Sequence, residues 1–383
     1  MIDEYIISDY GSMIADQVRT GAYTKALRQA VKPGSVVVDV GTGTGIFALL
    51  ACRFGARRVY AIEPGNVIGI ARDIAAANGF ADRIEFIQQP STRVTLPERA
   101  DVLVSDLHGT LPFYRHHIHS IVDARERLLA PGGELIPKRD TLWAAVAEAE
   151  TLYNSCVAPW GSAGHDFDMQ AARFQVINRM HKARVKPHEL VSDRVSWVVL
   201  DYLTVESPNA HAELTCTALR DGTGHGLIVW FDATLADGVE FSNAPGGDLV
   251  YGSAFFPWQL PVPLAAGDTV SISLHADLVD GEYIWRWDTC IRETGEPPRG
   301  KARFSQTTFQ GMSLSLGSLR KRDACHPPLL TDEGEIDKFI LNSMDGSSLR
   351  DIAHRVFTQF PAAFSTAQSA LARVSDLSEK YSR

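Results

Sequence analysis

Two patterns of apolar residues run along the chain. Up to about residue 138, short β-branched runs alternate with stretches of helical spacing. Val36-Val37-Val38-Asp39-Val40 reads as a buried strand, and a helical pattern runs from Ile46 to Phe54. Val59-Tyr60-Ala61-Ile62 is a second strand, followed by Ile84–Ile87, Val102–Ser105 and Glu134–Ile136, with a helix from about His116 to Leu129. Alternating strand and helix predicts a mostly parallel sheet with ligands at its C-terminal edge. From Thr141 the runs become longer and less helical. Val195–Val205, Ala212–Leu219, Leu227–Leu235, Val270–Leu278 and Tyr283–Ile291 are strand-like. Asp221-Gly222 and Asp280-Gly281 have the composition of hairpin turns, which predicts an antiparallel β domain. Trp285 and Trp287 flank Arg286, so both face one side of a sheet, the core side. The β pattern is broken at 151–190 by a partly helical stretch carrying Phe167, Met169, Phe174, Val176 and Ile177. Residues 1–30 form a helical lead-in whose apolar face includes Met13, Ile14, Val18, Ala26, Leu27 and Ala30. From Pro327 the pattern is helical again, in three segments separated by Met344–Ser348 and Phe360-Pro361. The expected division is therefore 1–30, an α/β domain over 31–138, a β domain over 139–320, and a helical module over 327–383.

The first strand opens the chemistry. It runs into Gly41-Thr42-Gly43-Thr44-Gly45, and strand, glycine turn, helix begins a nucleotide-binding unit. Glycines there let backbone approach a ligand closely. Ile46 stands where a dinucleotide fingerprint has its third glycine, so the turn alone is not diagnostic. Glu63 ends the second strand, where a carboxylate can accept both ribose hydroxyls. Asp39, Gly41, Gly43, Gly45 and Glu63 are thus the candidate residues for a nucleoside-bearing cofactor. Composition narrows the classes. Of the 383 residues, 45% are hydrophobic and 22% charged, as in ordinary globular proteins. A net charge of −9 argues against a general nucleic-acid binder or an anionic membrane surface. No basic leader precedes an apolar run and no run is long enough to span a bilayer. Cys52, Cys156, Cys216, Cys290 and Cys325 are far apart, odd in number and form no Cys-x-x-Cys pair, which points to a reducing cytoplasm and no zinc site.

Asp39-Val40-Gly41-Thr42-Gly43-Thr44-Gly45 with Ile62-Glu63 resembles the class I S-adenosylmethionine methyltransferases. The likeness narrows to the protein arginine methyltransferase family through Asp16-Gln17-Val18-Arg19-Thr20, Phe113-Tyr114, Leu129-Ala130-Pro131-Gly132-Gly133, Phe167-Asp168-Met169 and Phe241-Ser242, over roughly residues 5 to 292. It implies a Rossmann-like domain, a β-barrel packed against it, a dimerisation arm at 151–190 and a homodimer. It also implies S-adenosylmethionine as cofactor, with S-adenosylhomocysteine as product. Arg19 matches the arginine that takes the methionine carboxylate. Ser91 or Thr92 stands where the family has a glutamate facing adenine. The C-terminal helices resemble PqqD-like winged-helix modules, which implies a site for a leader peptide.

The loop Ser105-Asp106-Leu107-His108-Gly109-Thr110-Leu111-Pro112-Phe113-Tyr114-Arg115 departs from the family pattern of two glutamates that grip a guanidinium. Asp106 replaces the first glutamate and also borders the cofactor. Arg115 replaces the second, after Tyr114, so the pair sums to zero charge. The Thr-His-Trp sequence of the family's barrel loop is absent from Leu249-Val250-Tyr251-Gly252-Ser253, and Tyr10 replaces a family histidine. His108 is new, and beside a sulfonium it could act as general base for a hydroxyl or ammonium. Asp106, His108, Tyr114 and Arg115 are the candidate catalytic residues. Three readings follow: a methyltransferase acting on an N or O nucleophile of a small molecule or peptide other than protein arginine, with Arg115 repelling guanidinium; a protein arginine methyltransferase with a divergent loop; and a cofactor-binding scaffold without catalysis. The first is the leading expectation.

Overall fold

A computed structural model describes residues 5–161, 167–295 and 298–382. Two helices lead in, α1 (Ile7–Ala15) and α2 (Gln17–Ala30). Asp16 separates them and caps α2, its side chain accepting from the Arg19 backbone N–H at 3.0 Å. The expected apolar face is split between them. Tyr23, Ala26 and Leu27 of α2 are buried, whereas α1 buries nothing and Ile14 and Val18 remain exposed.

Next come β1 (Val36–Val40), α3 (Ile46–Arg53), β2 (Arg58–Ile62), α4 (Ile68–Ala77), β3 (Ile84–Ile87), β4 (Ala100–Ser105), α5 (His117–Arg127) and β5 (Leu129–Ile136). The strands form a parallel sheet in the order β3-β2-β1-β4-β5. Every residue of β1 is buried, which explains its unbroken apolar run in a sheet covered on both faces. The chain reverses direction across the sheet at β1, between β2 and β4. Ligands bind outside the carboxyl ends of such strands. The glycine turn, Glu63 and Asp106 follow β1, β2 and β4, so three motifs far apart in sequence meet on one sheet edge.

The antiparallel part contains β6 (Arg139–Ala147), α6 (Glu150–Val157), α7 (Gln170–Ile177), β7 (His181–Ala183), β8 (Val195–Asp201), β9 (Ala210–Thr217), β10 (Gly222–Ala236), β11 (Val239–Ser242), β12 (Ser253–Leu264), β13 (Thr269–Val279), β14 (Glu282–Arg292) and β15 (Gly300–Thr307). One sheet runs β7-β12-β10-β6-β8, with β11 on β10, and the other β15-β14-β13-β9. Asp280-Gly281 makes the β13–β14 hairpin, with Val279 opposite Glu282 and both turn residues at positive φ (52° and 84°). Asp221-Gly222 does not join a hairpin. β9 pairs with β13 while β10 pairs with β12 and β6, because β9 belongs to the other sheet. Trp285 and Trp287 are buried, as their alternation predicts, and one apolar cluster runs from Val36–Val40 through Phe231 and Phe256 to both tryptophans. The parallel and antiparallel sheets share a core. Within 151–190, residues 162–166 lie outside the described part. Phe167 and Phe174 are exposed beside α6 and α7.

The remaining unit, 313–383, has its own core. α8 (Leu316–Lys321) is followed by α9 (Asp332–Asn342), α10 (Leu349–Gln359) and α11 (Ala367–Tyr381), which enclose Ile340, Ile352, Val356, Ala370 and Val374. Thr331, Ser348 and Thr366 cap α9, α10 and α11. No strand occurs among its described residues, so the wing that a winged-helix module requires is missing. The likeness to PqqD-like modules, and the leader-peptide site drawn from it, are without support.

Candidate active site

The glycine turn adopts backbone that side chains disfavour, with φ of 77°, 53° and 87° at Gly41, Gly43 and Gly45. Asp39 holds it from beneath. Its Oδ2 accepts from Thr42 Oγ1 at 2.6 Å and from the Ala48 N–H at 3.1 Å, tying strand, turn and helix together. Burial pushes the Asp39 carboxyl up to about 7, against those two hydrogen bonds. Asp39 therefore shapes the cradle from inside the fold. Glu63 faces the turn, accepting from the Gly43 N–H at 3.2 Å and the Gly65 N–H at 2.8 Å. A Cβ on Gly43 would lie 2.7 Å from the Tyr10 ring, and one on Gly41 would overlap Leu107. Tyr10 and Leu107 thus pack on the backbone of the turn, a close approach that only glycine permits and that a nucleoside beside Glu63 would equally need. Ser91 is buried in a short helical turn, 91–93, held by Arg127 Nη2 donating to its carbonyl at 2.9 Å.

The loop after β4 carries the charges. Arg19 comes from α2 and is 5% exposed. Its Nε donates to Asp106 Oδ2 at 2.5 Å and to Tyr251 Oη at 2.9 Å, and its Nη2 forms an ion pair with the same carboxylate. Phe47 and Tyr23 lie 5.4 and 5.7 Å from the guanidinium carbon, with ring faces that favour a cation. Tyr251 donates to Asp106 at 2.7 Å. His108 Nδ1 lies 2.9 Å from Asp106 Oδ1, and its Nε2 lies 2.7 Å from Asp140 Oδ2 on β6. Burial opposes charge on Arg19, Asp106 and His108, but the pairing outweighs it. Asp106 is held well below the usual carboxylate range by Arg19, His108 and Tyr251, and His108 is carried up to about 10 by Asp140 and Asp106. At neutral pH His108 is an imidazolium with both nitrogens donating. A ring in that state has no lone pair with which to act as a general base.

Sequence reading missed Tyr251, Asp140 and Tyr202. Tyr251 stood in the segment noted for lacking a His-Trp pair, and its hydroxyl was the available signal. Tyr202 donates to Asp140 at 2.5 Å and receives His117 Nε2 at 3.0 Å. Tyr114 is half-buried against Gly109, where a Cβ would lie 2.8 Å from the ring. Arg115 does not join the cluster. Its φ is 45°, its side chain is 45% exposed, and it lies over the Tyr114 ring with Nε 3.9 Å from Glu282. The charge reversal read from the sequence therefore places no buried cation against the acceptor.

The model for "Ribosomal protein L11 methyltransferase (PrmA)" matches residues 20–137, and that for the arginine methyltransferase oligomerization subdomain matches 138–277. Arginine N(omega)-methyltransferase of Streptomyces achromogenes subsp. streptozoticus is 31% identical over 280 residues, covering 69% of this chain and 74% of that protein. The chain belongs to the protein arginine methyltransferase family. Human protein arginine N-methyltransferase 2 is 30% identical over 308 residues, covering 74% and 70%. Among solved structures, a Trypanosoma brucei PRMT1 enzyme-prozyme heterotetrameric complex with AdoHcy superposes with a TM-score of 0.70 at 21% identity, over 78% of this chain and 96% of that one. As a family member the chain is an S-adenosylmethionine-dependent methyltransferase with an oligomerization subdomain. No helix among the described residues is long and apolar enough to cross a membrane.

These relatives correct the leading expectation from the sequence. Its acceptor, an N or O nucleophile of a small molecule or peptide other than protein arginine, is overturned by relatives that are all named for methylation of arginine, the Streptomyces protein for arginine and the others for protein arginine. Its physical premise fails as well, since Arg115 turns to the surface beside Glu282.

Proposed function

We propose that the chain transfers a methyl group from S-adenosylmethionine to a guanidinium nitrogen of arginine, in a peptide or protein. One observation carries this reading: Asp106, an anionic carboxylate buried at the end of β4, already grips a guanidinium, that of Arg19, through Nε and Nη2. Charge-assisted pairing of this kind is directional and selects guanidinium over ammonium. The cofactor supplies an electrophilic methyl on a sulfonium and leaves as the thioether. Gly41, Gly43 and Glu63 bind its nucleoside, Arg19 its methionine carboxylate, and Ser91 the adenine side. Asp106 aligns the acceptor nitrogen and attracts the proton it sheds. Tyr251 and His108 fix the orientation of that carboxylate, and Tyr114 packs against the loop at Gly109. An acceptor guanidinium and Arg19 compete for Asp106, so a carboxylate that draws Arg19 away favours acceptor binding.

Supporting features extend the proposal. Within the first 312 residues the proposed boundary between a cofactor part and a barrel part lies at about Lys138, between the last strand of the parallel sheet and the first of the antiparallel ones. Exposed Phe167, Met169 and Phe174 in the arm suit a homodimer contact, and Ile6, Ile7, Ile14 and Val18 give the lead-in a second uncovered apolar face. Five free cysteines suit the cytoplasm. The test is methyl transfer from labelled cofactor to an arginine-rich peptide, its lysine counterpart and free arginine, read by mass spectrometry. Methylation confined to arginine-containing acceptors is expected. Cofactor binding without transfer to the arginine-rich peptide would refute the reading.

A further inference from the structure

The loop holds one acid where a two-carboxylate grip would need two, and that acid is a short aspartate. A lone loop carboxylate keeps rotamer freedom unless something braces it. The structure shows the brace. His108, with a side chain wholly buried and stacked 5.1 Å from Phe231, spans from Asp106 to Asp140. Asp140 sits on β6, hydrogen-bonded to β10 on one side and β8 on the other, opposite Ala233 and Leu200. It is 0% exposed, and its Oδ2 accepts from both His108 and Tyr202. His117 donates from α5 to Tyr202 through Nε2, and its Nδ1 has no partner, so its ring is neutral in this network. Direction is therefore set along the chain of donors: His117 to Tyr202, Tyr202 to Asp140, His108 to both carboxylates, Arg19 to Asp106. The loop is tied to the middle of a sheet more than thirty residues away in sequence, and nothing in the cofactor cradle requires the tie.

We propose that Asp140 is a positioning residue for methyl transfer, holding the Asp106 carboxylate at the acceptor through the imidazolium of His108. This rests on the reading of Asp106 as the acceptor's grip. The groups facing the His108 ring are Asp106 on its own loop, Asp140 on β6, His117 on α5 at 4.9 Å between rings, and Tyr251 at 6.0 Å, with Arg19 beyond Asp106. His117 is uncharged, Tyr251 is held neutral by burial and Asp106, and burial itself disfavours charge, so the two carboxylates alone sustain the imidazolium.

The sign follows. In the wild type His108 stays charged until the pH approaches about 10. Removing one carboxylate lowers that midpoint, so the brace is lost as pH rises through the lower value. The experiment compares the full chain with Asp140→Asn and Asp140→Glu, reading kcat and the KM values for an arginine-rich peptide and for the cofactor between about pH 6 and pH 9.5. The wild type is expected to show no decline from His108 in that window. Asp140→Asn is expected to lose kcat about threefold or more between pH 6.5 and pH 8.5, with KM for the cofactor within about twofold, and Asp140→Glu to restore the flat profile. Imidazole nitrogen NMR, with His108→Gln for assignment, should find a wild-type imidazolium at about pH 8 that titrates in Asp140→Asn. Parallel pH profiles for wild type and Asp140→Asn would overturn the proposal, as would a neutral wild-type ring at about pH 8, even if the asparagine variant does not fold. If the wild type methylates no arginine acceptor, the functional reading fails, while NMR still decides whether Asp140 sustains the imidazolium.

Discussion

Replacing Asp106 by asparagine removes one charge from a site where every neighbour depends on it. The Asp106 side chain is 3% exposed and that of Arg19 is 7%. His108 keeps Asp140 as a second partner, whereas the hydrogen-bond partners left to Arg19 among the described residues are the uncharged Tyr251 hydroxyl and Met13 carbonyl, at 2.9 and 3.1 Å. Breaking a buried pair from one side leaves an uncompensated charge and costs about 3–5 kcal/mol. A domain has about 5–15 kcal/mol in total, so the variant should fold with much of its margin gone. All 7 tryptophans, at positions 143, 160, 197, 230, 258, 285 and 287, lie before residue 313. Tryptophan fluorescence during urea unfolding thus reports on the unit containing the site, without the C-terminal helices. The midpoint should fall by roughly 1–2 M for a slope of about 3 kcal/mol per M. Catalysis should fall further, because a hydrogen bond to a charged group contributes about 1.5–3 kcal/mol, or about 10- to 150-fold in kcat/KM. Replacing Arg19 by methionine in the same chain should recover part of the stability, since the stranded cation is then gone. An unchanged urea midpoint together with kcat/KM within about twofold would refute the electrostatic account of the site.

Other outcomes follow from the same geometry. Glu63→Ala should weaken S-adenosylmethionine binding by about 1–3 kcal/mol in calorimetry, since it removes the proposed acceptor of ribose hydroxyls and the partner of the Gly43 N–H; unchanged affinity would take Glu63 out of the site. Arg115→Glu should leave transfer to arginine peptides within about threefold and stability within about 0.5 kcal/mol, as expected for a half-exposed surface position; a gain of tenfold or more would return Arg115 to the acceptor site. Phe174→Glu with Phe167→Glu should convert a homodimer to a monomer in light scattering, because a charge on each arm contact must be desolvated; dimers that persist would place the interface elsewhere.

The strand and glycine turn of this protein were legible in its sequence because they are built from local backbone demands. Three glycines that need positive φ, a strand of valines and an acid at the next strand's end each announce themselves within a few residues. The β13–β14 hairpin and the buried tryptophans were legible for the same reason. The charged cluster around Asp106 was not. Asp106 was found by its match to a loop, yet its partners Arg19, Tyr251 and Asp140 come from a helix, a loop and a strand that only the shared core brings together. Nothing adjacent to Asp140 distinguishes it from a surface aspartate at a strand's start, and alternation does not foretell which face another sheet will cover. Arg115 shows the converse. Its residue type suggested a reversed charge in the site, but backbone with φ of 45° sends the side chain to Glu282. Sequence determined which chemical groups the loop carries. Direction of side chains, and therefore the sign of the field at the acceptor, was decided by tertiary packing, because charge acts through distance and burial, and both belong to the folded chain.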